Sequence, residues 1–373
     1  MNIEPFLLDQ WLAKYQFASP PIRYDLAAST GPKWTVGEVL DLEGDEAHAA
    51  LNEVVLSYAP ANGSIELRTR IAELHGVDPE TVVVTTGASE AVSALFCLMA
   101  APGANLVLPF PVFPAFPVLA RTWGYQVRSY TLSREDGFEH RAEQILEATD
   151  ADTKLVLVNS PHNPTGAVMA AAELAFLAES LAERNIALVV DEVYHPLYFG
   201  AAHATAARLP NTVVIGDLSK AFSLSGLRIG WIVEPDAARR HQLIDARGYF
   251  TISNSAVTEH LAALALRHSA RLLERLDAVA RSNLAALDNF MQANDEVIGW
   301  IRPVGGTTAF PWLNDGSDSR RFCESLAASG VLTAPGDCFS SPNHFRIGFC
   351  RQAEGFGDAL GIASAVLQRG RRR

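Results

Sequence analysis

Ser219-Lys220-Ala221-Phe222-Ser223-Leu224-Ser225-Gly226-Leu227-Arg228-Ile229-Gly230-Trp231 comes just after the apolar run Thr212 to Ile215. A lysine past the end of a buried strand, with Arg228 eight residues further on in a turn of small residues, offers an amine nucleophile beside an anion site. The rival reading is a surface lysine at a strand end. Residues upstream decide between them.

From Ser64 to Pro235, helical patterns alternate with short β-rich runs. Strands are predicted at Thr81 to Thr85, Asn105 to Leu108, Gln126 to Thr131, Lys154 to Val158, Ile186 to Val190, Thr212 to Ile215 and Ile229 to Val233. Helices are predicted at Ile65 to His75, with Gly76 just past the end, at Ser89 to Ala100 and at Ala170 to Arg184. Several of these strands are apolar on both faces, as in a mostly parallel sheet covered by helices. The fold class is therefore α/β, with a site at the carboxyl ends of the strands. After Pro235 the pattern changes. Helices are predicted at Ala237 to Tyr249, Val257 to Arg267, Arg271 to Asn294 and Ser319 to Ser329. Short strands are expected near Trp300, at Ala309 to Trp312 and at His344 to Phe349, then a terminal helix. This divides the chain into an N-terminal arm (1–45), a large domain (46–250) and a smaller α+β domain (251–373). The arm is expected to lie against the small domain or a second subunit.

Polar groups stand at the ends of the predicted strands. Thr86-Gly87-Ala88-Ser89 joins a strand to a helix, where backbone N–H groups can approach a phosphate. An ordinary strand-to-helix turn reads the same way. Asn159-Ser160-Pro161-His162-Asn163-Pro164-Thr165-Gly166 is a turn, or a rigid mount for the Asn163 amide at the mouth of the sheet. Asp191-Glu192-Val193-Tyr194 ends a fully apolar strand in a carboxylate, which is costly without a charged or hydrogen-bonding partner. A protonated pyridine nitrogen would be such a partner; a helix cap is the alternative.

Together, Asn163-Pro164-Thr165-Gly166, Asp191-Glu192-Val193-Tyr194 and Ser219-Lys220 with Gly226-Leu227-Arg228-Ile229-Gly230-Trp231 resemble the signature of class I/II aminotransferases, pyridoxal phosphate (PLP) enzymes of fold type I. The spacing matches: 28 residues from Asn163 to Asp191 and 29 from Asp191 to Lys220. Tyr58, Gly63, Leu67-Arg68, Gly87-Ala88-Ser89, Phe113, Gly305-Gly306, Phe310 and Phe345-Arg346-Ile347-Gly348 extend the resemblance over residues 50 to 350.

The resemblance implies a role for each matching position. Lys220 holds PLP as an internal aldimine and carries the proton between the substrate α-carbon and the cofactor. Asp191 keeps the pyridine nitrogen protonated. Asn163 and Tyr194 bond the ring's phenolic oxygen, and Phe113 stacks on the ring. Gly87, Ala88, Ser89, Ser219 and Arg228 surround the phosphate, and Tyr58 reaches the phosphate of a neighbouring subunit, so a homodimer is expected. Arg346 clamps the substrate α-carboxylate with a two-pronged hydrogen bond. Phe310 and Trp312 are expected to pack the small domain.

Two features depart from the pattern. Three residues before the lysine, many members have a serine or threonine, whereas this chain has Asp217, expected to turn away or pair with a cation. The N-terminal loop Asp25-Leu26-Ala27-Ala28-Ser29-Thr30-Gly31-Pro32-Lys33-Trp34 lacks a Gly-x-Pro element and resembles the branch that includes capreomycidine synthase. Trp34 there is a candidate for the substrate pocket. Transamination between an L-amino acid and a 2-oxo acid, by a ping-pong route, is the expected activity. Elimination, replacement or cyclisation is the alternative, because the same motifs serve them all.

Composition narrows the remaining classes. A net charge of −12 without a basic patch argues against nucleic acid. No apolar stretch is long enough to span a bilayer, and Met1 to Pro5 does not open a secretion signal, so the cytoplasm is the expected location. The arginine-rich end is expected to be solvated. None of the four cysteines forms a Cys-x-x-Cys pair, so no metal site is expected, and Cys97 and Cys350 read as reduced core residues. A regulatory PLP-binding module is disfavoured, because the roughly 50 residues before the motif region are not basic. The aromatic set Trp34, Phe110, Phe113, Phe250 and Trp312 suits an apolar or aromatic substrate side chain.

Overall fold

The computed structural model describes residues 4–371. Met1 to Ile3, part of the segment read for a secretion signal, and the last two arginines of the tail lie outside the described residues. In chain order the strands are β1 Tyr24–Asp25, β2 Val82–Thr85, β3 Asn105–Phe110, β4 Gln126–Thr131, β5 Thr153–Asn159, β6 Ala187–Asp191, β7 Thr212–Asp217 and β8 Gly230–Val233. Six short ones follow: β9 Ile298–Gly299, β10 Thr308–Ala309, β11 Trp312–Leu313, β12 Val331–Leu332, β13 Ala334–Pro335 and β14 Phe345–Gly348.

Strands β2 to β8 form one sheet in the order β2-β8-β7-β6-β5-β3-β4. Only β8 runs antiparallel to its neighbours, so the expected α/β class holds. Every residue of β2, β6, β7 and β8 is buried, which is why these strands show no polar alternation. The edge strand β4 is mostly exposed and reads Gln-Val-Arg-Ser-Tyr-Thr, a polar edge that discourages further pairing.

Register places the site. Asn159 lies beside Asp191, and Asp191 beside Ile215, so β5, β6 and β7 finish together. Each ends in a polar residue: Asn159, Asp191 and Asp217. The helix Gly87–Met99 starts two residues ahead of the predicted Ser89. Gly87 makes that start possible, with φ +71° and so little space that an added Cβ would fall 2.4 Å from Arg228 Nη2.

Beyond β8, the helices Ala237–Arg247, Ala256–Arg267, Ser269–Ala293, Ser319–Ala328 and Phe356–Arg371 follow the predicted pattern. Strands β10, β14 and β13 form a small antiparallel sheet with Arg346 on its middle strand. The N-terminal helix Leu7–Gln16 is anchored by buried Trp11, whose indole donates to Thr333 O at 2.8 Å. The parallel pairing of β1 with β12 does not follow from the sequence reading. Two residues per strand are too few for a periodicity, and the pairing is long-range. The four cysteines are free, but Cys97 is only half-buried, so the core reading fails there and holds for Cys350. No described helix is long and apolar enough to cross a membrane. Among the described residues no group of three His, Cys, Asp or Glu side chains could hold a metal.

Candidate active site

At the carboxyl ends of β5, β6 and β7 lies a cavity of about 200 Å³. Its floor is Asp191, the last residue of β6 and only 6% exposed. One carboxylate oxygen accepts the Val193 N–H at 3.1 Å. Burial pushes this carboxyl up to about 7, with Asp217 adding repulsion and Lys220 opposing it. Such a group would be relieved by a cation placed against it.

Asn159 organises the next layer. Its Nδ2 donates to Asp191 O at 3.1 Å, and its Oδ1 accepts the Asn163 N–H at 2.8 Å. Asn163 Oδ1 in turn accepts from Arg346 Nη1 at 3.1 Å. Arg346 is 2% exposed, donates from Nη2 to Ala27 O at 2.5 Å, and has its guanidinium 5.0 Å from the centre of the Phe339 ring. Its Nε is buried and makes no hydrogen bond among the described residues. Sequence reasoning missed Asn159, although a polar residue ending an apolar strand was a signal for it.

Lys220 and Asp217 face each other along the β7 side. Loss of water lowers the Lys220 amine, with Asp217 the largest opposing influence. Burial raises Asp217, with Lys220 opposing it. Asp217 is buried, lines the cavity and accepts the Ser219 N–H at 2.8 Å. It therefore lines the cavity rather than turning away, and the charges of Lys220 and Arg228 oppose the effect of its burial. The Lys220 amine donates to Ser29 Oγ at 2.9 Å, a partner the sequence did not single out. Tyr194 Oη is buried and makes no hydrogen bond among the described residues. Burial pushes its phenol up to about 12.

A second corner is built for an anion. The start of the helix Gly87–Met99 brings Ala88 and Ser89 to the wall, opposite Ser219 and Arg228. Arg228 has φ +54°, and its Nη1 donates to Ser225 O at 3.0 Å and to Ser219 Oγ at 3.5 Å. At Gly230 a Cβ would fall 2.7 Å from the Ala88 N, so glycine there lets β8 press against the helix start. Phe113 lines the cavity and meets Phe116 edge-on at 5.5 Å.

The other candidates lie elsewhere in the single chain. Tyr58 is 81% exposed, bridged to Ser255, and outside the cavity wall. Trp34 is stacked under Arg275, 4.3 Å from its ring centre, and is also outside the wall. Of the aromatic set only Phe113 lines the cavity; Trp34, Phe110, Phe250 and Trp312 do not. Phe310 is buried and stacks on His344 at 4.7 Å, packing the small sheet as expected.

The donor set fits PLP: a lysine amine, a buried carboxylate for a ring cation, an unsatisfied phenol, and an anion corner with Arg228 at a helix N-terminus. Comparison with known proteins agrees. The profile described as aminotransferase class I and II matches residues 28–355. A capreomycidine synthase of Streptomyces vinaceus is 31% identical over 376 aligned residues, covering 98% of this chain and 95% of that protein. An aspartate/prephenate aminotransferase of Thermus thermophilus is 29% identical over 87% of each chain. Among solved structures, a PLP-dependent aminotransferase from Streptococcus suis superposes with TM-score 0.90 and 27% identity, covering 99% of both chains. The PLP-dependent cyclase OrfR superposes with TM-score 0.90 and 29% identity over 99% of this chain and 98% of that one.

Proposed function

The chain belongs to the class I and II aminotransferase family, and on that premise we propose that it moves the amino group of an L-amino acid to a 2-oxo acid in two half-reactions at one site. The observation that carries this reading is the Arg346–Asn163 contact above a cavity that also holds Lys220 and Asp191. A guanidinium there would suit a substrate carboxylate, and the Lys220 amine would carry a proton.

PLP supplies an electron sink for the carbanion formed at the substrate α-carbon. The chain's residues would do the rest. Lys220 Nζ would hold the cofactor and, once displaced by the substrate amine, take the α-proton and return it. Asp191 would pair with the protonated ring nitrogen. Asn163 and Tyr194 would donate to the phenolic oxygen. Phe113 would cover the ring. The Gly87-Ala88-Ser89 helix start, Ser219 and Arg228 would bind the phosphate.

Tyr58 of a second subunit would complete that phosphate site. Exposed Val55, Leu56, Tyr58, Tyr249 and Ile252 support a homodimer, because apolar side chains this exposed gain from a partner surface. The division into arm (1–45), large domain (46–250) and small domain (251–373) is part of the same reading. The Trp11–Thr333 bond and the β1–β12 pairing support it. So is a cytoplasmic location.

A second reading is cyclisation or elimination on an amino acid. The similarity to capreomycidine synthase along nearly the whole chain favours it. One experiment separates the two: record the visible spectrum of the PLP-loaded protein and add a panel of L-amino acids. Bleaching that a 2-oxo acid reverses supports transamination. Product or ammonia formed without bleaching supports the second reading.

A further inference from the structure

The segment Leu26 to Gly31 runs between β14, where Gly348 bonds Leu26, and Lys220, and it is seated from several sides. Asp25 Oδ1 accepts from Ala27 N at 3.1 Å and Ala28 N at 3.2 Å. Gly348 N donates to Leu26 O at 2.7 Å, and Thr307 Oγ1 to Ser29 O at 2.9 Å. A Cβ on Gly348 would fall 1.9 Å from Ala28 O, and one on Gly31 would fall 2.2 Å from Ser223 Oγ. Backbone held this closely fixes its side chains. Ser29, 8% exposed, thereby presents its hydroxyl 2.9 Å from Lys220 Nζ.

We propose that Ser29 is a positioning residue for Lys220, its hydroxyl accepting one N–H of the free amine and so setting both the direction of the amine's lone pair and its basicity. The argument is one of counting. A neutral amine has two N–H groups and one lone pair. With one N–H held by Ser29, rotation about the last side-chain bond is restricted, and the lone pair keeps one direction for the incoming α-proton. After transfer the ammonium still donates to Ser29, now through a stronger, charge-assisted bond. The proton stays on Nζ until it is returned, and Ser29 itself neither gains nor loses one. The charges facing the amine are the carboxylates Asp217 and Asp191, which favour the ammonium, and Arg346 and Arg228, which oppose it. The phenol of Tyr194 stands nearby. Ser29 adds a neutral acceptor, and its hydroxyl also acts on the Tyr194 phenol.

The proposal rests on Lys220 being the cofactor lysine, and its test keeps the two apart. Apoprotein is mixed with PLP, and the rate of appearance of the lysine-bound cofactor band is followed from pH 6 to 10. Wild type should react and Lys220→Ala should not; failure of that contrast would remove the assignment of Lys220 itself. Ser29→Ala should move the midpoint of the rate profile down by about 1 pH unit, the worth of one hydrogen bond to a charged donor. Ser29→Thr, which keeps the hydroxyl, should restore the wild-type midpoint. The proposal is overturned if Ser29→Ala keeps the wild-type midpoint while Lys220→Ala is silent. It is overturned equally if Ser29→Thr shifts as far as Ser29→Ala, which would mark a packing effect.

Discussion

Arg346 Nη1 donates to Asn163 Oδ1 at 3.1 Å, joining β14 of the small sheet to the loop that follows β5 of the large one. Arg346 is already paired with Ala334 in its sheet, and the Asn163 N–H is already held by Asn159 Oδ1. The contact ties the guanidinium to Asn163, which lines the cavity. Arg346→Lys should keep the charge but lose the planar fork. The KM for amino-acid substrates should rise at least about tenfold, the worth of one charge-assisted hydrogen bond. PLP affinity, measured by absorbance titration of apoprotein, should stay within about twofold, because Arg346 does not line the cofactor cavity. Loss of PLP affinity on the same scale as the KM change would show that Arg346 supports the fold rather than the substrate.

Asp191 gives a pH-dependent prediction for the cofactor-free protein. Its carboxyl is pushed up to about 7 from an ordinary 3.8, chiefly by burial. The folded chain therefore keeps a proton that the unfolded chain releases. That contribution to stability is full below about 4 and is lost as pH rises to about 7. Asp191→Asn keeps an acceptor for the Val193 N–H and cannot ionise. Relative to wild type, the apo variant should gain stability between pH 5 and pH 8, by a few kcal/mol at most for a shift of this size. With PLP the order should reverse, since the asparagine cannot neutralise a ring cation. Thermal melts of both proteins at the two pH values, with and without PLP, test the sign. An equal offset at pH 5 and pH 8 without PLP would contradict it.

Much of this site was legible because the chemistry occupies strand ends. Asp191 ends an apolar strand, Asn163 and Lys220 come within a few residues of one, and polar residues at such places stand out in one dimension. Arg346, inside the short strand Phe345–Gly348, was legible only through the resemblance carried by Phe345-Arg346-Ile347-Gly348. What escaped reading depends on pairing across long sequence distances. Ser29 meets Lys220 across 191 residues, and Trp11 meets Thr333 across 322. Nothing local marks either serine or tryptophan for that contact. The short helix Val36–Leu40 is a different kind of miss. Thr35 and Glu38 form its capping box, a signal present in the sequence and passed over because the apolar stretch after it is so brief.

Behind the site, His75 is tied into a chain whose direction can be assigned. The Trp231 indole can only donate, and it points at His75 Nε2 from 2.9 Å. The His75 proton therefore sits on Nδ1, 2.9 Å from Thr205 Oγ1, which donates to Glu192 Oε2 at 2.7 Å. Burial first, then His195, pushes His75 down to about 3. The folded chain keeps it neutral while the unfolded chain charges it below 6.5, so stability present above 6.5 is lost as pH falls toward 3. His75→Gln retains an acceptor and a donor but cannot titrate. Its stability should fall less steeply than that of wild type from pH 6.5 to 4.5, by up to about 1.4 kcal/mol per pH unit for one proton. Urea unfolding across that range measures the slopes, and parallel slopes would refute the assignment.

Tyr58 is the one proposed cofactor contact that the single chain leaves facing outward, 81% exposed and bridged to Ser255 beside the exposed Tyr249 and Ile252. If its hydroxyl serves the phosphate of a second subunit, two defective chains should repair each other. A chain carrying Tyr58→Ala still has Lys220, and a chain carrying Lys220→Ala still has Tyr58. In a mixed dimer one site would combine the intact Lys220 of the first with the intact Tyr58 of the second, and the other site would carry both lesions. Co-expression of the two variants with different affinity tags, followed by isolation of the doubly tagged species, should give one PLP per dimer bound with wild-type affinity. The Tyr58→Ala homodimer should bind PLP about tenfold more weakly, as expected for loss of one hydrogen bond to a charged group. If Tyr58 instead serves its own chain, the mixed dimer holds no intact site, and its tightest PLP binding matches that of the Tyr58→Ala homodimer. Because the readout is cofactor affinity, it holds whether the enzyme transaminates or cyclises.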